Sequence, residues 1–208
     1  MLSVIGIIAV KKIPAVSLVP FAIIPLLFAV QQFSEGFVWL AGTNVISAAW
    51  KQPSVLFFLL FAQVVWPVWV PFSIFLLEKQ PLRRKILLAL LVAGAILAIY
   101  HLYCLAAFPV SAEIADHHID YRLGYSSFAG GLGSMVYIMA TILPPFISGV
   151  KKMPLLGLCI LLSFLVTLFF YKTYVISVWC FFAALISVIV VLILSPYKHQ
   201  GKAAAGRD

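Results

Sequence analysis

The chain has 208 residues, 64% of them hydrophobic and only 10% charged, with a mean hydropathy of +1.15. Soluble domains carry charge on about a quarter of their residues, so an ordinary soluble domain is excluded. The formal charge of +8 comes from short basic clusters between apolar runs, the arrangement that orients a membrane protein, and no nucleic-acid partner is read from it.

The expected fold is all-α: a polytopic transmembrane bundle of seven helices, the first one short, forming a single domain over residues 1–195 with a polar tail at 196–208. Met1 to Val10 is apolar, but ten helical residues cover only about 15 Å of the roughly 30 Å of hydrocarbon. Without a basic leader or a small-residue cleavage site, and followed by Lys11-Lys12, it is not expected to be a cleaved signal. Lys11-Lys12 and Pro14 close it. A second helix is predicted from Leu18 to Gly42, with Pro20 near its start and a kink at Pro25. A third is predicted from Ser54 to Leu77, where Gln63, Trp66, Pro67, Trp69 and Pro71 interrupt the aliphatic run.

The charged stretch Glu78 to Lys85 precedes a fourth predicted helix, Ile86 to Phe108, which carries Tyr100, His101, Tyr103 and Cys104. The longest connection follows, Pro109 to Ser126, with Glu113, Asp116, His117, His118, Asp120 and Arg122. The fifth helix is predicted at 127–150, opening on the small residues Gly130, Gly131, Gly133 and Ser134, which suit close helix approach, and ending at Pro144-Pro145. The sixth and seventh run over 155–171 and 174–195, separated by a tight turn at Lys172-Thr173. Cys104, Cys159 and Cys180 fall in apolar segments at no metal or disulfide spacing and read as small buried hydrophobes.

Lys11, Lys12, Lys79, Arg83, Arg84, Lys85, Lys151, Lys152, Lys198, Lys202 and Arg207 fall on one side of this topology, against Lys51, Arg122 and Lys172 on the other. The positive-inside bias makes the first side cytoplasmic, which puts the N-terminus out and the C-terminus in.

Glu35 is the one acidic residue within a predicted span. Gln31, Gln32 and Glu35 share a helical face with Trp39 one turn on, and an ionisable group in hydrocarbon costs several kcal/mol unless it faces a bundle interior or a wet cavity. The plainer reading is a protonated Glu hydrogen-bonded to a neighbouring helix. The topology places Glu35, His101, Ser134, Tyr137, Ser177 and Cys180 in outer halves of their helices, with Gln31, Gln32, Gln63 and Thr141 near mid-depth. This shared depth predicts one ligand pocket opening outward. Its lining is expected to be Gln31, Gln32, Glu35 and Trp39 from the second helix and Gln63 and Trp66 from the third. Later helices are expected to add His101, Ser134, Tyr137, Ser177 and Trp179. Ser, Thr and Tyr are also common near helix ends for interfacial reasons, so the weight rests on Glu35, the Gln residues and His101.

Pro25-Leu26-Leu27-Phe28-Ala29 followed by Gln31-Gln32, Glu35-Gly36 and Val38-Trp39, then Val65-Trp66-Pro67-Val68-Trp69-Val70-Pro71, and Ser177-Val178-Trp179-Cys180-Phe181-Phe182-Ala183-Ala184 resemble the signature stretches of a family of small bacterial seven-helix integral membrane proteins of unknown function. The resemblance covers nearly the whole chain and implies a bacterial inner-membrane protein; it supplies no activity. Members of that family usually open on Met-Cys-Phe-Ser, which this chain lacks, so a first helix shortened by a late start codon is expected.

Four chemistries fit a seven-helix chain to different degrees. A zinc-dependent intramembrane hydrolase acting on a lipid needs three or four converging ligands, for which His101, His117, His118, Asp116, Asp120 and Glu35 are the candidates. Against it, adjacent histidines cannot share a helical face and the seventh helix has no histidine. A retinal protein needs a buried Schiff-base lysine, and the seventh helix has none, so no retinal is expected. A small-solute transporter suits Pro-broken helices and mid-depth amides, but no internal repeat is visible. A small-molecule-binding or sensor protein fits best, with membrane lipid and an unidentified small molecule as partners and no other cofactor. With no nucleophile elbow, P-loop or paired carboxylates, an enzyme is the less favoured class.

Overall fold

The computed structural model describes residues 1–11, 13, 15–115, 117–125, 131–182 and 185–195. Lys12, Asp116, Gly130, Ala183, Ala184 and the tail from Pro196, with Lys198, Lys202 and Arg207, lie outside the described residues.

Proline placement decides much of the helix architecture. After a nine-residue helix, α1 (Leu2–Val10), the first span, α2 (Val16–Gly42), is segmented: Pro20 and Pro25 each sit in the first turn of a helical piece, where a missing N–H costs nothing. The break between the pieces leaves the Pro20 carbonyl to accept from the Trp69 indole at 2.9 Å. The second span, α3 (Ala48–Leu77), starts earlier than the sequence predicts, because Ser47 caps it from the connection through Ala49 N–H.

Its middle widens into a π-turn at Phe61–Val65. Pro67 has no N–H to offer the carbonyl of Gln63 four residues back. That carbonyl accepts instead from His101 Nδ1 at 3.2 Å, and the neighbouring Ala62 carbonyl accepts from the Tyr137 hydroxyl. Pro71 likewise leaves the Pro67 carbonyl without a helical donor. There α4 (Pro81–Ala107) crosses at Gly94, where an added Cβ would stand 2.0 Å from that carbonyl oxygen. Gly94 thus allows α4 to cross close against α3. Gly131, at positive φ, precedes the helix Leu132–Ile147, and a Cβ on Gly133 would meet nothing nearer than 3.7 Å.

The connection after α4 adds a short β element to the expected helical bundle. It is an antiparallel hairpin, β1 (Val110–Ala115) and β2 (His118–Leu123), in register from Val110 against Leu123 to Ala115 against His118. Val110, Ala112, Ile119 and Tyr121 alternate onto its buried face and pack with Val38, Phe58, Leu59 and Cys180, closing one end of the bundle. A two-stranded ribbon has unpaired edges that hydrocarbon does not tolerate, so it belongs at the membrane surface.

The remaining helices are α5 (Leu132–Ile147), α6 (Met153–Phe170) and α7 (Val175–Ser195). The helix α5 has 16 residues, shorter than predicted, and runs through Pro144-Pro145 to Ile147. Among the described residues, five helices (α2, α3, α4, α6 and α7) are long and apolar enough to cross a membrane, and α5 is a shorter apolar one. Consecutive helices pack side by side, so their links alternate between two ends. At the end away from the hairpin, Glu78 is buried and clasps two links. Its Oε1 accepts from Lys79 and Gln80 N–H, and its Oε2 from Gly149 N–H at 2.6 Å. Burial pushes this carboxyl up, but those three backbone donors with the Ser148 hydroxyl outweigh it and hold Glu78 below the ordinary carboxylate range.

Candidate functional site

Gln32, Glu35, Gly36 and Trp39 follow one another at i, i+3, i+4 and i+7, so they form one stripe along α2. The stripe faces Ser177 and Val178 of α7 across a cavity of about 460 Å³. His117 and His118 of the hairpin, with Tyr171 and Phe182, complete the lining at the hairpin end. The volume lies in the range of small-molecule sites.

Glu35 is 8% exposed. Its Oε1 accepts from the Ser177 hydroxyl at 2.6 Å and its Oε2 from Gln32 Nε2 at 3.1 Å. A carboxylate offers about four acceptor positions, so these two donors leave capacity for a third partner. The Tyr121 hydroxyl approaches the same carboxyl without closing a hydrogen bond, and it is a buried polar atom with no other partner. Burial, with the Glu35 carboxyl beside it, pushes the Tyr121 phenol up, so it stays a protonated donor. Phe58 stacks on it at 4.8 Å and fixes the ring. His118 is held between Tyr171 and Tyr174, with ring centroids at 5.0 and 5.1 Å, which pins the hairpin to the turn before α7.

The predicted single pocket resolves into separate places. Gln32, Glu35, Trp39 and Ser177 line the polar cavity. Gln31 does not: it sits on the stripe of Phe28, Val38 and Ala41, is 0% exposed, accepts from the Trp66 indole at 2.7 Å and donates to Cys180 Sγ at 3.1 Å. Trp66, Tyr137, Thr141 and Trp179 line a second, apolar cavity of about 60 Å³ deeper in the bundle. Their polar atoms already have partners: Trp66 bonds Gln31, Trp179 bonds Ser163, Tyr137 bonds the Ala62 carbonyl and Thr141 bonds the Tyr137 carbonyl. With nothing left to hold water, such a space stays dry.

Gln63 or His101 is expected within hydrogen-bonding reach of the Gln31, Gln32 and Glu35 face, and the bonds that both make lie elsewhere. The π-turn presents Gln63 Oε1 to the Tyr125 hydroxyl at 2.5 Å and leaves its Nε2 buried without a partner, while His101 bonds the Gln63 carbonyl. Burial pushes the Tyr125 phenol up as well. Ser134, half-buried on α5, lines neither cavity.

The metal candidates are also dispersed. Among the described residues no three His, Cys, Asp or Glu side chains converge as a metal site requires. Asp120 is drawn to Arg122, which bonds it at 3.2 Å and Glu113 at 2.8 Å on the outer face of the hairpin. Of the six candidates only Glu35, His117 and His118 line one cavity, and Asp116 lies outside the described residues.

Gly36, Tyr171, Val178 and Phe182 are lining residues that sequence reasoning missed. Gly36 was legible as the i+4 partner of Gln32 on the Glu35 stripe. Tyr171 and Phe182 were not, because an aromatic at a helix end reads first as an interfacial anchor.

A family model described as a family of unknown function, DUF6629, matches residues 1–205. The chain belongs to DUF6629. No curated protein and no solved structure matches it. As a DUF6629 member the chain inherits no assigned chemistry, so the functional reading rests on the geometry around Glu35.

Proposed function

We propose that this protein is a small-molecule-binding or sensor protein of a bacterial inner membrane, with the cavity around Glu35 as its ligand site. The observation that supports this reading best is a carboxyl group with unused acceptor capacity, held on the floor of a cavity of about 460 Å³. An ionisable side chain at membrane depth is costly and is kept where it meets a ligand, an ion or water. The links bearing Lys11, Lys79, Arg83, Arg84, Lys85, Lys151 and Lys152 lie opposite the hairpin, and the positive-inside bias makes the hairpin side external. Ligand then enters from outside, beside His117.

A panel of small polar compounds, screened by thermal shift of detergent-purified protein, tests the reading. Wild type is expected to be stabilised by at least one compound that leaves Gly36→Leu unmoved, since that leucine would occupy the cavity. A compound that stabilises both proteins equally binds elsewhere, and a panel whose every binder behaves so overturns the assignment.

A further inference from the structure

Resting on the reading of the Glu35 cavity as a ligand site, we infer that its ligand is a small organic cation, an amine or a quaternary ammonium compound. Three independent features of the lining point the same way.

The first is charge. Glu35 is the only acidic residue in the five spans, and among the described residues no lysine or arginine lines the cavity to neutralise it. Its two bonded partners, Gln32 and Ser177, are uncharged donors. A carboxylate held this way is left to be matched by a positive charge arriving with the ligand. Neither histidine of the lining is bonded to Glu35: the ring of His118 contacts Tyr171 and Tyr174, and His117 is exposed at the hairpin turn.

The second is the walls. Trp39 from α2, Tyr171 from the end of α6 and Phe182 from α7 all line the cavity. Aromatic faces carry negative electrostatic potential and attract an ammonium group within about 6 Å, so aromatic rings lining the same cavity as a carboxyl group suit such a cation.

The third is size. A cavity of about 460 Å³ is far larger than a dehydrated metal ion, which would need converging oxygen or nitrogen ligands; among the described residues no group of three exists. A molecule with its own alkyl groups fills such a space against aromatic rings, where a bare ion does not.

The test uses the full chain in detergent with Gly36→Cys, because a side chain added there meets open space inside the cavity. The wild-type protein, whose own cysteines are Cys104, Cys159 and Cys180, serves as the blank. The rate of thiol modification by methyl methanethiosulfonate is followed by mass spectrometry in the presence of three probes of one shape: choline, its neutral carbon analogue 3,3-dimethylbutan-1-ol, and the anion 3,3-dimethylbutanoate. Choline is expected to slow modification at concentrations about tenfold below those of the alcohol, the anion is expected to give no protection, and the choline advantage is expected to disappear when Glu35→Gln is added. Trp39→Leu is expected to weaken choline protection and Trp39→Phe to retain it, which separates the aromatic contact from a general effect on folding. Protection by the alcohol or the anion as strong as by choline, or by none of the three, overturns the cation assignment while leaving a wet cavity in place. Choline protection that survives Glu35→Gln overturns it too. If the reagent never reaches the thiol introduced by Gly36→Cys, the cavity itself is removed, and the reading on which this inference rests falls with it.

Discussion

Gly36 and Gly94 are both glycines in the middle of long helices, and the structure predicts opposite consequences of giving each a side chain. Glycine in a helix interior costs about 0.5–1 kcal/mol relative to alanine through backbone entropy. At Gly36 a new Cβ meets no atom within 4 Å, so that entropy is recovered without a steric penalty and Gly36→Ala should stabilise by about 0.5–1 kcal/mol. At Gly94 the new Cβ would stand 2.0 Å from the Pro67 carbonyl oxygen, 2.9 Å from its carbon and 3.3 Å from the Ala140 Cβ. Ordinary contact is 3.4 Å or more, so α4 would have to move away from α3 by more than an ångström. Overpacking of this kind costs about 1–3 kcal/mol, more than the helix preference returns. Thermal unfolding in one detergent, with each variant beside wild type, reads the difference as shifts of opposite sign, at about 2–4 °C per kcal/mol for a chain of this size. If Gly36→Ala destabilises as much as Gly94→Ala, the Gly36 face is packed against protein, and the cavity beside Glu35 does not exist.

Three further outcomes follow from the same geometry. Glu78 has its carboxyl held below the ordinary range by backbone donors that outweigh burial; a lowered folded value gives stability that is present above the unfolded carboxyl range and lost as pH falls through the folded one. Glu78→Gln should therefore cost about 1.5–3 kcal/mol at neutral pH, by weakening charge-assisted bonds, and the gap to wild type should close in acid; a gap that widens as pH falls contradicts the clasp. Glu35→Leu leaves the Ser177 and Gln32 donors unpaired and should lower stability by about 1–3 kcal/mol, whereas Glu35→Gln keeps an acceptor and should stay folded while losing ligand; equal melting of the two variants would mean the carboxyl serves assembly alone. For orientation, Arg84→Cys and His117→Cys labelled by an impermeant thiol reagent on intact cells should show modification at 117 only, and labelling at 84 alone would invert the topology.

Helix placement was readable because spans announce themselves by length and hydropathy, and the weight given to Glu35 came from the expense of an acid at membrane depth. The hairpin was also written in the chain: Val110, Ala112 and Ile114, then Ile119, Tyr121 and Leu123, alternate at a period of two. The charged residues between them disguised it as a polar connection. Grouping Gln31 with Gln32 and Glu35 failed for a geometric reason. Successive helical residues stand about 100° apart, so residues 31 and 32 fall on opposite sides of Glu35, and packing sent Gln31 to Trp66 and Cys180 while Gln32 reached the cavity. His101 and Gln63 carried a different message: each answers to Pro67, whose missing N–H frees a carbonyl one turn back. A proline's effect on a neighbouring helix cannot be read without knowing which helix crosses there.

Whether the Glu35 cavity holds a small molecule is tested most directly by native mass spectrometry of protein extracted gently from its own membrane, with wild type and Gly36→Leu measured side by side. A low-mass non-lipid adduct is expected on wild type and absent from Gly36→Leu, whose leucine fills the space opened beside Glu35. An adduct carried equally by both proteins, or a Gly36→Leu protein that still binds every compound wild type binds, would contradict that expectation.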